Sequence, residues 1–203
     1  NVNRLVNVEE VRAHVGTVAN TGPARMAAEK SITLVRDSLG LVPMKLPREA
    51  RVVSITISGR ADLSAGRGFD AELRSQYPRL QSLTLTPEVV AEATAGAAAG
   101  QAGGYRVTPD PTILPASVEN ALRIAQGADL VIVSSYIGAA TNTANMKPTA
   151  GLPELLNGLR AANTKVLLTS FNNPYLQLGQ PLTAAHMLAW SPCTATPRAA
   201  ARG

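Results

Sequence analysis

Ser117-Val-Glu-Asn-Ala-Leu-Arg-Ile-Ala-Gln-Gly-Ala-Asp129-Leu-Val-Ile-Val-Ser134 reads as a helix running into a strand. Val118, Ala121, Leu122 and Ala125 recur at i, i+3, i+4 and i+7, which is one helix face. The run from Leu130 to Val133 is apolar without alternation. A strand covered on both faces has that composition, and parallel sheets are built from such strands.

Working outward, the same unit repeats. Leu152, Leu155, Leu156 and Leu159 give the inner face of a helix over about 152–162, and Asn163 suits its C-terminal cap. Strands are expected at Lys165–Thr169 and Ala185–Ala189, and the tail Thr196–Arg202 reads as helical. Upstream, Val52-Val-Ser-Ile-Thr-Ile57 is strongly β-favouring. Phe69, Leu73 and Tyr77 share a helix face, Pro78 stops that helix, and Leu80–Leu85 forms the next strand. Thr86-Pro87-Glu88 is a helix start, with a capping hydroxyl, proline in the first turn and an acid beside the dipole. Ala93–Gly104 is expected to be a surface insertion, and Tyr105–Pro115 an extended connection. At the front, Val8, Val11 and Val15 mark one face of a short lead-in helix. A second helix is expected to open at Pro23, ahead of the β-rich run Ser31–Asp37.

Strands alternating with helices predict a three-layer α/β/α domain with a mostly parallel sheet of five to six strands. Residues 1–37 are expected to be a helical lead-in and linker, and residues 38–203 the α/β domain. Ligands gather at the carboxyl ends of such strands. The loops to watch are therefore Gly59–Gly68, Ser134–Gly151 and Ser170–Thr183.

Composition bounds the function. Hydrophobic residues are 45% and charged ones 16%, enough for a sizeable core. Aromatics are only 3%, so the core is built from Val, Ile, Leu and Ala. The net charge is +5, yet Arg and Lys are scattered with no basic run, so no nucleic-acid partner is expected. No stretch approaches the roughly 18 apolar residues of a membrane span, and no membrane partner is expected. Cys193 is the single cysteine, which rules out an intrachain disulfide. The chain opens at Asn1 without an initiator Met and stops at Gly203 inside a helical tail. It reads as a piece of a longer protein, and its compartment is not legible.

Four groups carry candidate chemistry. The loop Ser58–Gly68 follows a strand and opens a helix, where backbone N–H groups bind anions. Arg60, Arg67, Gly66 and Gly68 are the anion-binding candidates there, although the loop lacks a Gly-x-Gly-x-x-Gly motif and a phosphate-loop Lys. Asp62 and Asp70 flank it and could form an acid/base pair, but the stronger reading has Asp70 serving the helix dipole and Asp62 solvated. Ser134 and Ser170 would need a base as nucleophiles. His14 reads as exposed on the lead-in helix and His186 as a packed strand residue. Ser134, Tyr136, Lys147, Asn172, Asn173 and Tyr175 lie on the two remaining loops and are candidates for lining a sugar cleft or a domain interface, while Asn173-Pro174 also builds a turn. No metal-ligand cluster is present, and neither a metal nor a cofactor is expected.

Three segments in order carry a resemblance. They are Ala27-Ala-Glu-Lys-Ser-Ile-Thr-Leu-Val-Arg-Asp37 with Leu41-Val-Pro43, then Ala128-Asp-Leu-Val-Ile-Val-Ser-Ser-Tyr136 with Gly151-Leu-Pro153, then Ser170-Phe-Asn-Asn-Pro-Tyr-Leu176 with Ala189-Trp190 and Arg198-Ala-Ala-Ala201. Together they resemble the carboxy-terminal domain of family 3 glycoside hydrolases, in particular the β-N-acetylhexosaminidase branch. The resemblance implies a flavodoxin-like fold that follows a (β/α)₈ barrel carrying the nucleophilic Asp. It implies that the barrel is this domain's partner and that glycan is bound through the parent enzyme. In the hexosaminidase branch the acid/base is a His on a barrel loop. In the β-glucosidase branch this domain supplies a Glu before the Leu-Pro motif. Here that stretch is Asn145-Met-Lys-Pro-Thr-Ala-Gly151, with no carboxylate. The resemblance thus implies a non-catalytic domain, with a parent that cleaves terminal β-N-acetylglucosamine, and it is compatible with a periplasmic or secreted bacterial enzyme. Two other expectations stand beside it: a free-standing module binding a small anion at Gly59–Gly68, and a module that only packs against a neighbouring domain.

Overall fold

The structure is a computed structural model that describes residues 7–58, 64–87, 112–136, 149–175, 181–191 and 195–201. Six strands form one sheet: β1 (Thr33–Asp37), β2 (Val52–Ile57), β3 (Gln81–Leu85), β4 (Leu130–Ser135), β5 (Val166–Ser170) and β6 (Ala185–Leu188). Their spatial order is β1-β6-β5-β4-β2-β3. All neighbours run parallel except β1, which pairs antiparallel with β6 and slips register between Leu34 and Arg36. The mostly parallel α/β sheet expected from the sequence is therefore present.

Alternate residues of the central strands feed two separate cores. On one face Val53, Ile55, Val131, Val133 and Leu168 pack against α4 (Pro115–Ala125) and α5 (Leu152–Ala161). The helices present Val118, Ala121, Leu155 and Leu159, which is the stripe their periodicity predicts. On the other face Val52, Leu130, Ile132, Leu167, Ala185 and Met187 meet Phe69, Leu73 and Tyr77 from α3 (Arg67–Gln76) and its end. Ala200 and Ala201, from α6 (Ala195–Ala200) and its end, close the same core, and Gln76 Nε2 donates to the Ala201 carbonyl at 2.9 Å. Strands β2, β4 and β5 are buried along their whole length, which accounts for their unbroken apolar and small-residue runs.

The front of the chain departs from expectation in two places. Helix α2 spans Val18–Ser31, so it begins five residues before Pro23 and carries that proline inside. Thr17 is its cap: the hydroxyl accepts from Asn20 N–H, and this side-chain cap outweighed the proline as the start signal. Helix α1 (Val8–His14) carries the expected valine stripe, but Val8, Val11 and Val15 are all exposed. Residues 33–37, read as the end of the lead-in, are the antiparallel edge strand. Thr86 and Pro87 are described and not helical, while the rest of the helix expected from Thr86, the expected Ala/Gly-rich insertion and Cys193 lie outside the described residues. Among the described residues no helix is long and apolar enough to cross a membrane.

Topology fixes where a ligand would sit. From β2 the chain moves to β3 on one side and returns to β4 on the other. The direction of winding reverses between β2 and β4, and in open α/β sheets that reversal opens a crevice beyond the carboxyl ends of the two strands.

Candidate functional site at the carboxyl ends of the strands

Register places a row of hydroxyls at these strand ends. Thr56 pairs with Ser134, and Ser134 pairs with Thr169, each one residue before its strand's last. The three are 1%, 0% and 0% exposed, and none of their hydroxyls has a hydrogen-bond partner. Two aromatic rings lie just beyond the row. Tyr136 stacks on Phe171 with centroids 4.4 Å apart, and Phe69 meets Phe171 edge-on at 5.7 Å.

Helix α3 begins at this row. Gly66 is its N-cap with φ +78°, and no side chain caps the first turn. A Cβ added at Gly66 would lie 2.5 Å from Thr56 Oγ1, so only glycine lets the helix end come down on Thr56. Arg67 N–H is used by the Ser64 carbonyl at 3.1 Å, and the first intrahelical bond runs from Asp70 N–H to the Gly66 carbonyl at 2.8 Å. Gly68 and Phe69 hold the remaining first-turn N–H groups. Asp70 follows in that turn, half-buried, and its carboxylate accepts the Ser54 hydroxyl at 2.6 Å. Asp70 is thus tied to the strand one row deeper than Thr56.

The opposite face holds the Ser170–His186 pair. The Ser170 hydroxyl lies 3.1 Å from His186 Nε2, both residues are buried, and His186 Nδ1 has no partner. Burial holds the imidazole below its usual pKa. Nothing bonds Nδ1 to orient the ring, so the pair lacks the third group that a nucleophile–base couple uses. His186 is the packed strand residue expected from the sequence.

The remaining candidates separate. Ser134 belongs to the buried row, and Tyr136 is 8% exposed with its ring in the aromatic stack. Asn173 is buried, and its side-chain oxygen accepts Tyr175 N–H at 2.9 Å, which makes the turn expected of Asn173-Pro174. Asn172 is exposed in the left-handed region with φ +75°, and Tyr175 is exposed beside it. Arg67 is exposed on the first turn of α3 and Gly68 is half-buried there. Arg60, Asp62 and Lys147 lie outside the described residues. Thr56, Thr169 and Ser54 are absent from the sequence-derived candidates. Thr56, Ser134 and Thr169 each stand one residue before the end of their strand, but only the register shows that the three form one row.

Among the described residues no cluster of His, Cys, Asp or Glu could hold a metal ion. A groove of about 700 Å³ runs between α4 and α5, lined by Glu119, Arg123, Gly158 and Thr164 among others. It sits toward the amino ends of the strands, away from the crevice that the topology creates.

No protein-family model matches the chain, and no curated protein matches it. Solved structures do. A family 3 β-N-acetylglucosaminidase from a Paenibacillus species superposes with a TM-score of 0.63 at 16% identity, over 99% of this chain and 32% of that one. A β-glucosidase from Listeria innocua gives 0.66 at 16% identity, over 98% of this chain and 26% of that one. A fungal multi-domain family 3 β-N-acetylglucosaminidase gives 0.61 at 14% identity, over 97% and 18%. The chain shares its fold with one part of family 3 glycosidases. At these identities the likeness is one of fold. It includes both acetylglucosaminidases and a glucosidase, and the chain spans 18 to 32% of these larger proteins.

Proposed function

We propose that this chain is the carboxy-terminal α/β domain of a retaining family 3 glycoside hydrolase, and that it supports the catalytic site without performing the chemistry. The carrying observation is the make-up of the strand-end loops. Retaining hydrolysis in its usual form uses two carboxyl groups about 5–5.5 Å apart. The loops after β4 and β5, residues 136–151 and 171–184, contain no Asp or Glu. The loop after β2 offers Asp62, and Asp70 beyond it is bound to Ser54. The nucleophile and acid/base are therefore assigned to a barrel domain of a longer parent.

The surface suits a domain that packs on another. Leu34, Val35, Leu39, Leu182 and Trp190 are all exposed, and they lie along the β1–β6 side of the sheet. Ser38 N–H bonds the Ala184 carbonyl and Trp190 Nε1 donates to Thr33 Oγ1, which holds these residues on one side. Apolar clusters of this kind mark interaction sites.

The parent is assigned to the β-N-acetylglucosaminide branch, because the stretch 145–151 lacks the glutamate that this domain supplies in β-glucosidases. The test is the complete parent assayed on aryl β-N-acetylglucosaminide and aryl β-glucoside. Preference for the acetylated substrate is expected. Preference for the glucoside would remove the branch while leaving the domain assignment, and inactivity on both would remove the glycosidase reading.

A further inference from the structure

We propose that the crevice between the carboxyl ends of β2 and β4 is a binding site for a phosphate-type oxyanion, held by the first turn of α3 and by the hydroxyls of Thr56 and Ser134. This goes beyond the glycosidase reading and does not depend on it.

Two independent features converge there. The first is the start of α3, ten residues long, with no side-chain cap and with the N–H groups of Gly68 and Phe69 at its open end. Such an end favours an anion through both its donors and its dipole. The second is the hydroxyl row. Thr56 Oγ1 is buried, has no partner, and lies against the N-cap, where a Cβ on Gly66 would meet it at 2.5 Å. Ser134 Oγ, in register on the next strand, is equally buried and unpartnered. Native proteins leave few buried polar atoms unbonded, so unbonded hydroxyls in register call for an occupant that bonds them. Neighbouring strands lie about 4.8 Å apart, a spacing that a tetrahedral oxyanion can bridge from two hydroxyl donors. Thr169 extends the row one strand further from β2.

The crevice also lies where open α/β sheets bind ligands, at the reversal of winding. One group opposes an anion. Asp70 is in the same helical turn, but its carboxylate is engaged by Ser54, one row deeper. Its negative charge weakens the site, which predicts that neutralising it strengthens binding. Ordered water is the competing occupant, since it would satisfy the same hydroxyls without any preference for charge.

The experiment is thermal unfolding of this chain in increasing inorganic phosphate, against sodium chloride at matched ionic strength, with a parallel series in glucose 6-phosphate. A saturable rise of a few degrees is expected in phosphate and not in chloride. Whichever series has the lower midpoint identifies a free phosphate or a phosphorylated compound as the source. Thr56→Val and Ser134→Ala each remove a hydroxyl at little change in volume and should weaken binding about tenfold, while Asp70→Asn should tighten it. Absence of a saturable shift in both series overturns the proposal. So does a shift that Thr56→Val, Ser134→Ala and Asp70→Asn all leave unchanged, because the ion would then bind elsewhere on the surface.

Discussion

Gly66 is where backbone conformation and close packing make the same demand. Its φ of +78° costs a residue with a Cβ about 1–2 kcal/mol, and that Cβ would also overlap Thr56 Oγ1 at 2.5 Å. Gly66→Ala should therefore destabilise the fold by about 2 kcal/mol or more, read as a lower urea midpoint with an unchanged slope. An unchanged midpoint would mean that the α3 start does not rest on Thr56. His186 makes a pH prediction. Its folded pKa lies below the ordinary 6.5, because burial disfavours the charged ring. The unfolded chain therefore takes up a proton at this site at higher pH than the folded chain does. The stability contribution is complete above about pH 6.5 and is lost as pH falls through and below that value. Urea midpoints measured at pH 7.5 and 5.5 should fall for the native chain, and His186→Gln should flatten that fall. Among single residues the sequence showed the Asn173 turn and the packed His186, because both follow from local chemistry. It did not show Thr56 or Thr169 as site residues, because a row of hydroxyls exists only once three separate strands are in register.

Helices α3, α4 and α5 were legible because each is amphipathic and buries the face that its periodicity marks. Leu155 stands at the centre of the α5 face and is fully buried. Leu155→Ala should cost about 2–5 kcal/mol, whereas Leu39→Ala, at a site 59% exposed, should change stability by no more than about 0.5 kcal/mol. Chemical denaturation of the two variants checks this, and equal losses would contradict the core assignment. The start of α2 was misplaced because two start signals compete within seven residues. Proline is favoured in a first turn, but here Thr17 supplies the cap and Pro23 is accommodated inside. The pairing of β1 was not legible either. Its five residues are almost wholly exposed, so burial leaves no alternation in them, and its antiparallel direction is set by contact with β6 across some 150 residues of chain.

At the scale of the whole molecule, one mostly parallel sheet carries two cores and sets the carboxyl ends of β2, β4 and β5 side by side, and the repeated helix–strand unit predicted the mostly parallel sheet. The order of the strands, and hence the crevice between β2 and β4, required the structure. Its likeness in fold to family 3 glycosidases covers nearly all of this chain and a minor share of theirs. The loops after β4 and β5 contain no Asp or Glu, which is the basis of the proposed supporting role. The measurement that bears most directly on this account is release of the aryl group from an aryl β-N-acetylglucosaminide, by this chain alone and by the complete parent. An active parent with a silent chain is predicted. Turnover by the chain alone, abolished by substitution of Asp62, Asp70 or His186, would contradict it and place the chemistry in this domain.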